Sequence, residues 1–377
     1  MVDARPAGQL HALTSMRFVA AFVVLLHHLP LAMPGLVGLL SLAQAGYVGV
    51  TFFFVLSGFV LTWGWTSTSR VSDFYIKRAA RVYPLHVLTA FAMALLLGRA
   101  GVDWTALPAN LVLLQAWSPD PAVYLSFVGA AWSLSCEVFF YVCFPLLVSL
   151  LSRCRHVIRW AVAIVAATIA GGTLVSMVWP SSAEYLYHLP MFRLADFTVG
   201  ILVCLAIRRG WRLVIGPAAA AALVATVYLC VLLAQTSTGS GIERSWFYSV
   251  LMVLPFGLLI ASLAGRELSG GVPLLRAKGL VLLGQWSFAL YLVHGVVLAA
   301  LQEHVRELRG APAVIVGMAV VALVVTSSWL VHTLYERPIE AAVRRRWTRR
   351  RVAGVAEAAT IVRTGTASSL TSPRQTQ

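Results

Sequence analysis

Ten apolar blocks constrain this chain more than any other feature. They fall at about residues 13–33, 47–65, 82–98, 127–151, 158–179, 190–207, 212–234, 245–264, 279–301 and 312–335, separated by short polar or Pro/Gly-containing breaks. A helix that crosses a bilayer needs about 20 mainly apolar residues, and in hydrocarbon every backbone N–H and C=O must be satisfied within the segment. The spacing therefore predicts an all-α, polytopic membrane helix bundle with about ten transmembrane helices. An eleventh apolar run, Leu107 to Trp117, is too short to cross and reads as an interfacial or re-entrant piece.

Charge supports this count independently. The chain carries 29 Lys+Arg against 14 Asp+Glu, a formal net charge of +15, yet only 11% of its residues are charged and 59% are hydrophobic. An ordinary soluble domain has about 25% charged residues, so a water-soluble globular fold is excluded. A balance this basic is also what nucleic-acid binding would show, and the positions of the charges decide between the two readings. With the N-terminus inside, 23 basic residues fall in inner segments, four in outer loops (Arg99, Arg244, Arg306, Arg309) and two in spans (Arg17, Arg193). Cytoplasmic loops carry the Lys/Arg excess, so both termini are expected to be cytoplasmic, and no nucleic-acid partner is expected. Counting the short run as a span would invert every later loop and destroy the pattern.

The organisation expected is a cytoplasmic N-terminal segment (1–12), a ten-span membrane domain (13–340), and a tail (341–377) that is basic and then Ser/Thr/Gln-rich and disordered. Ala43-Gln44-Ala45 resembles a signal-peptide cleavage site, but the stretch before it holds Arg17, His27, His28 and Pro30, so cleavage is not expected. Five cysteines (Cys136, Cys143, Cys154, Cys204, Cys230) form no C-x-x-C pair and are expected to be small buried hydrophobes. No residue spacing suits a metal, and none is expected.

Ionisable groups inside a bilayer are costly and tend to mark a pathway or a reaction site. In the first span, Arg17 and His28 are 11 positions apart, about 20° beyond three full turns, and so share one face about 16 Å apart. His27 points about 100° away. Arginine keeps its charge and can hold phosphate or carbonyl oxygen, whereas histidine can take a proton from a hydroxyl near neutral pH. Glu137, in Trp132-Ser133-Leu134-Ser135-Cys136-Glu137, could pair with Arg17, orient His28, or form a structural ion pair. Arg193 and Asp196 are i, i+3 neighbours suited to a local salt bridge. Ser287, Tyr291 and His294 share one face of the ninth span, and His332 lies in the tenth.

The segment Lys77-Arg78-Ala79-Ala80-Arg81-Val82-Tyr83-Pro84 precedes the third span. Its default role is topology and lipid headgroup contact; its three positive residues, four with Arg70, and a tyrosine would also suit the phosphates of coenzyme A. Ser57 in Leu56-Ser57-Gly58-Phe59 lacks the G-x-S-x-G context of a hydrolase elbow, and there is no nucleotide P-loop.

Taken together, these residues resemble the acyltransferase-3 family of integral membrane O-acyltransferases, from about residue 10 to about residue 345. Arg17, ten further residues and His28 match its first-helix signature, and VGVTFFFVLSGFVLT (48–62) is similar to its Gly/Phe-rich second span. KRAARVYP (77–84) resembles its basic turn, WSLSCEVFFYVCFPLL (132–147) its WSLS-x-E segment, FRLADFTVG (192–200) its R-x-P-E-F segment, LGQWSFALYLVH (283–294) its Ser-Tyr-x-x-Tyr-x-x-H segment, and YERP (335–338) its last-helix ending. Ala195-Asp196 and Trp286 depart from that pattern.

The resemblance implies transfer of an acyl group, commonly acetyl, from acyl-CoA to a hydroxyl, with acetyl-CoA as the leading donor and no metal. The acceptor would be a glycan or a glycosylated small molecule such as a macrolide, met at a bacterial plasma membrane among membrane lipids. The expected catalytic residues are His28, Arg17 and Glu137. Arg17, Lys77, Arg78, Arg81 and Tyr83 are expected to hold coenzyme A, and Trp132, Ser133, Arg193, Asp196, Tyr291 and His294 the acceptor. The rival class is a transporter or flippase for a lipid or saccharide that uses the same charges for proton coupling. The topology has its own check: a β-lactamase fused after Gln377 should give no resistance, and periplasmic activity there would invert the arrangement.

Overall fold

The computed structural model describes residue 8 and residues 10–98, 103–238 and 244–349. The expected disordered tail beyond residue 352 lies outside these, as does most of the expected N-terminal segment. The described residues form helices and no strand, and ten helices are long and apolar enough to cross a membrane. They are α1 (His11–Ala32), α2 (Gly49–Gly64), α3 (Val71–Leu97), α4 (Trp132–Leu151), α5 (Val157–Val178), α6 (Pro190–Arg208), α7 (Pro217–Thr238), α8 (Ser245–Leu268), α9 (Lys278–Val305) and α10 (Gly310–Val331). The run Leu107 to Trp117 does not cross; it folds into the short helix Leu107–Leu111 and a 3₁₀ turn at Gln115–Trp117.

Two helix ends differ from the hydropathy blocks. Helix α3 begins at Val71 rather than near residue 82, so the expected basic turn is helical and Pro84 lies inside the helix. Hydropathy sees only the part of a helix that sits in hydrocarbon, while backbone hydrogen bonding continues into the headgroup layer. At the other end of the chain, helical structure continues through a π-turn, His332–Glu336, as far as Arg349. Cys230 is exposed, and Cys143 and Cys154 are partly so, which corrects the expectation that all five cysteines are buried. A thiol facing lipid is already in an apolar phase and gains nothing from burial in protein.

Close packing depends on small residues. A Cβ on Gly58 would lie 2.0 Å from the Phe197 carbonyl oxygen, and one on Gly200 would lie 2.0 Å from that of Val55, so α2 and α6 meet backbone to backbone. Between α1 and α9 the same role falls to Gly284, whose Cβ would lie 2.0 Å from the Thr14 carbonyl oxygen. Where lipid is as apolar as leucine, such close approach is a main source of helix association.

The N-terminal end of α1 is capped from a distance. The Glu267 carboxylate at the end of α8 accepts from the His11 and Ala12 backbone N–H groups at 2.7 and 3.0 Å. It satisfies donors that the helix leaves open and places negative charge at the positive end of the helix dipole. The Ser15 hydroxyl adds a 2.6 Å bond to the Leu275 carbonyl.

Gly58→Val and Gly200→Val should each lower the midpoint of thermal unfolding in detergent, at a cost of about 1–3 kcal/mol or more. Gly279→Ala, where no atom lies within 4 Å of the new methyl, should not lower it.

Candidate active site

The seam between α1 and α9 carries the polar groups inward. A cavity of about 60 Å³ is lined by Arg17 of α1, Ser57 of α2, Arg78 and Arg81 of α3, Glu137 and Tyr141 of α4, and Phe288 of α9, with apolar neighbours. A second, of about 30 Å³, shares Arg17, Phe53, Glu137 and Phe288 and adds Ser133, Ser287 and Tyr291. Arg17 and Glu137 thus form the common wall of both.

Three guanidinium groups converge on the first cavity, and two of them are incompletely satisfied. Among the described residues, the buried Nε atoms of Arg17 and Arg78 have no hydrogen-bond partner. The Arg78 guanidinium lies 6.0 Å from the Tyr141 ring centroid and that of Arg81 5.0 Å from the Phe288 centroid. Glu137 accepts a 2.7 Å hydrogen bond from the Tyr141 hydroxyl, and no ion pair within 4.0 Å joins it to Arg17 among the described residues. Of the readings open for Glu137, direct pairing with Arg17 is therefore not the arrangement found. Arg81 pairs with Glu336, beyond the end of α10.

Beyond the second cavity lies a cluster of rings. Tyr291 and His294 have centroids 5.9 Å apart, and His294 and His28 5.1 Å apart. The His28 Nδ1 is 2.8 Å from the Val24 carbonyl oxygen, and the His294 Nδ1 is 3.2 Å from that of Leu290, each an i−4 partner. A carbonyl can only accept, which assigns the proton to Nδ1 and leaves Nε2 as the basic nitrogen of each neutral ring. The Tyr291 hydroxyl donates to the Ala130 carbonyl at 3.0 Å. The His27 ring lies edge-on to His28, centroids 5.0 Å apart, and against Tyr47, with its Nδ1 3.2 Å from the Ala43 carbonyl.

The remaining expected residues lie elsewhere. Arg193 and Asp196 form a 2.9 Å ion pair with side chains 0% and 1% exposed. Arg193 also donates to the Thr51 hydroxyl at 2.7 Å and lies between the Phe54 and Tyr187 rings. Neither residue lines the two cavities. Trp132 packs against Phe54, Tyr187 and His188 and lines neither cavity. Lys77 is exposed. Tyr83 is exposed too, its hydroxyl bound to the Leu111 carbonyl at 2.7 Å. Two residues past Arg81 is about 200° around a helix, so Tyr83 leaves the cavity face once this segment is helical.

Sequence reasoning missed several groups. Tyr141 is one turn from Glu137, a signal that was available. Ser57 lines the first cavity without any hydrolase motif. His86, inside α3, is buried with its Nε2 2.8 Å from the Asn110 carbonyl. His188 sits in the short helix Ala183–His188 between α5 and α6 and is stacked among Tyr124, Trp132 and Tyr187. Among the described residues no group of three or more His, Cys, Asp or Glu could hold a metal ion.

The family model described as an acyltransferase domain matches residues 10–333. The chain belongs to the acyltransferase-3 family. It is an integral membrane enzyme that transfers acyl groups. It is 31% identical over 364 residues to the acyltransferase MdmB of Streptomyces mycarofaciens, covering 88% of this chain and 91% of that protein. It is 25% identical over 284 residues to the putative acetyltransferase ORF330 of Acidianus two-tailed virus, covering 74% and 79%. Nodulation protein 10 of Rhizobium leguminosarum bv. viciae is 28% identical over 146 residues, covering 34% and 39%. No solved structure matches the acyltransferase.

Burial lowers the pKa of His188 to about 4, with its Nδ1 held 3.0 Å from the Glu184 carbonyl. The folded enzyme keeps this ring neutral, so between the ordinary 6.5 and about 4 the unfolded chain binds a proton that the folded one does not. Stability present at neutral pH is therefore lost as pH falls through that window, by on the order of 3 kcal/mol. His188→Phe, which keeps a ring in the stack, should flatten this part of the profile of unfolding midpoint against pH.

Proposed function

We propose that the enzyme moves an acyl group, acetyl in the leading case, from acyl-CoA to a hydroxyl of a sugar-containing acceptor, and that it does so in a bacterial plasma membrane. The acceptor is a surface glycan or a glycosylated small molecule such as a macrolide. The observation that carries this reading is the continuity from the three-arginine cavity, through the Arg17–Glu137 wall, to Tyr291, His294 and His28.

Coenzyme A is polyanionic at one end and carries its thioester at the end of a long arm. The convergence of Arg17, Arg78 and Arg81 favours the anionic end, because guanidinium groups bind phosphate in forked geometry and keep their charge when buried. Arg17 and His28 are about 16 Å apart along α1, so Arg17 is assigned to the donor's charged end rather than to an oxyanion formed beside His28. His28 acts as general base: its Nε2 takes the hydroxyl proton as the acceptor oxygen bonds to the thioester carbonyl carbon. When the tetrahedral adduct collapses, the carbon–sulfur bond breaks, and the thiolate leaves as free coenzyme A with a proton from the imidazolium. The Val24 bond holds the ring in the tautomer this needs. Glu137 balances the arginines and holds Tyr141 at the cavity.

The test is full-length protein in detergent with labelled acetyl-CoA and candidate glycosides, read as free thiol and labelled product. His28→Ala should lower kcat by about 10²–10⁴, while His27→Ala, whose ring flanks His28 edge-on and whose Nδ1 is engaged by the Ala43 carbonyl, should keep most of the activity. Full transfer by His28→Ala with loss in His27→Ala would overturn the assignment, and wild-type protein that releases no thiol would favour a carrier.

A further inference from the structure

The cavity has one wall whose geometry is set from outside it. Arg81 enters from α3, yet its partner is Glu336, in the π-turn His332–Glu336 where α10 ends. Glu336 is 2% exposed and accepts from two cationic or ionisable groups, Arg81 at Oε1 and the His332 Nδ1 at Oε2, the latter at 2.9 Å. Glu340 lies 3.7 Å from the same Arg81 nitrogen but is held by Arg344, which leaves Glu336 as the near partner. The Tyr335 hydroxyl also donates to the Pro84 carbonyl at 3.3 Å. The π-turn therefore grips α3 at both Arg81 and Pro84.

A π-turn inserts one residue into a helix and rotates every later residue by about 100° relative to a regular α-helix. Such turns are uncommon and recur at functional sites. Here the rotation brings Glu336 onto the face that meets α3. Both ion pairs of Arg81 use Nη1, and the flat guanidinium rests on the Phe288 ring, 5.0 Å from its centroid. The group is thus fixed on one edge and one face while its side chain still lines the cavity with Arg17 and Arg78. Three guanidiniums meet there against two carboxylates, Glu137 in the wall and Glu336 behind it.

We propose that Glu336 is a positioning residue: through Arg81 it sets the shape and charge of the arginine cavity, so that the cavity receives a multiply charged anion of the diphosphate type. The naming of that anion as the diphosphate of acyl-CoA rests on the function proposed above; the wall itself does not. Without Glu336, Arg81 loses its anchor and turns from the cavity, repelled by two like charges.

The test uses full-length wild type, Glu336→Gln, Glu336→Asp, Arg81→Ala and the double variant Arg81→Ala/Glu336→Gln in detergent. Binding of inorganic pyrophosphate and of coenzyme A is read by thermal shift, and KM and kcat for acetyl-CoA by thiol release. Glu336→Gln should weaken both ligands and raise KM about fivefold or more, with kcat within about twofold, since coupled neighbours typically share energies of that order. Glu336→Asp should recover most of the affinity, and the double variant should bind no more weakly than Arg81→Ala. Wild-type affinity in Glu336→Gln, or effects of the two changes that multiply in the double variant, would overturn the proposal. So would affinity losses that track the unfolding midpoint and are not restored by Glu336→Asp. If Glu336→Gln does not fold, the aspartate and double variants decide on the same criteria. Wild-type protein that binds both ligands and releases no thiol would sink the acyl-transfer reading while the binding series still decides this one. Wild-type protein that binds neither ligand would overturn the positioning role whatever the thiol assay gives.

Discussion

The polar interior of this bundle hangs from the seam between α1 and α9. Two helices can approach this closely only where one lacks a side chain, and Gly284 supplies that gap opposite the Thr14 backbone. The approach puts Arg17, three residues on from Thr14, beside Phe288, and it puts His28 beside His294. The helix that carries both groups is also fixed at its first turn by a carboxylate from α8. A seam that slipped by one turn would carry arginine and histidine along together and leave the α3 and α4 groups facing other partners.

Charge in the spans obeys one rule with two outcomes. An ionised group in hydrocarbon must find a partner or a wet cavity. Arg193 takes the first course, satisfied in part by Asp196 and Thr51 and sandwiched between the Phe54 and Tyr187 rings. Arg17 and Arg78 take the second, keeping buried donors open beside a cavity. The first arrangement is what packing specificity looks like in a membrane protein. Both leave buried donors open, Nε and Nη1 at Arg193 as well; what sets the second apart is that Arg17 and Arg78 line a cavity.

Much of this was legible in the chain. The ten helices follow from the length of the apolar blocks, and the shared face of Arg17 and His28 follows from helical arithmetic alone. The failures have definable physical reasons. Hydropathy marks where lipid begins, so it split α3 at its charged half and made a turn of the helix that carries Arg78 and Arg81. Periodicity within one helix says nothing of partners on another, so the contacts of Glu336 with Arg81 and of Glu267 with the start of α1 could not be read from the chain. Ser57 had no motif to announce it, and Lys77 and Tyr83 were grouped with the arginines by nearness in sequence although α3 turns them elsewhere. The pairing of Glu137 with Tyr141 needed only the i, i+4 rule.

The bond from His28 to the Val24 carbonyl joins the ring to the same helix that carries Arg17. Relative motion between helices can open or close the cavities, but it cannot change a length measured along a single rigid rod. Helix α1 therefore behaves as a ruler. On the function proposed above, a donor anchored at the arginine mark meets the histidine mark only if its own reach fits the fixed interval between them, which would write selection by length into one helix before any pocket wall is considered.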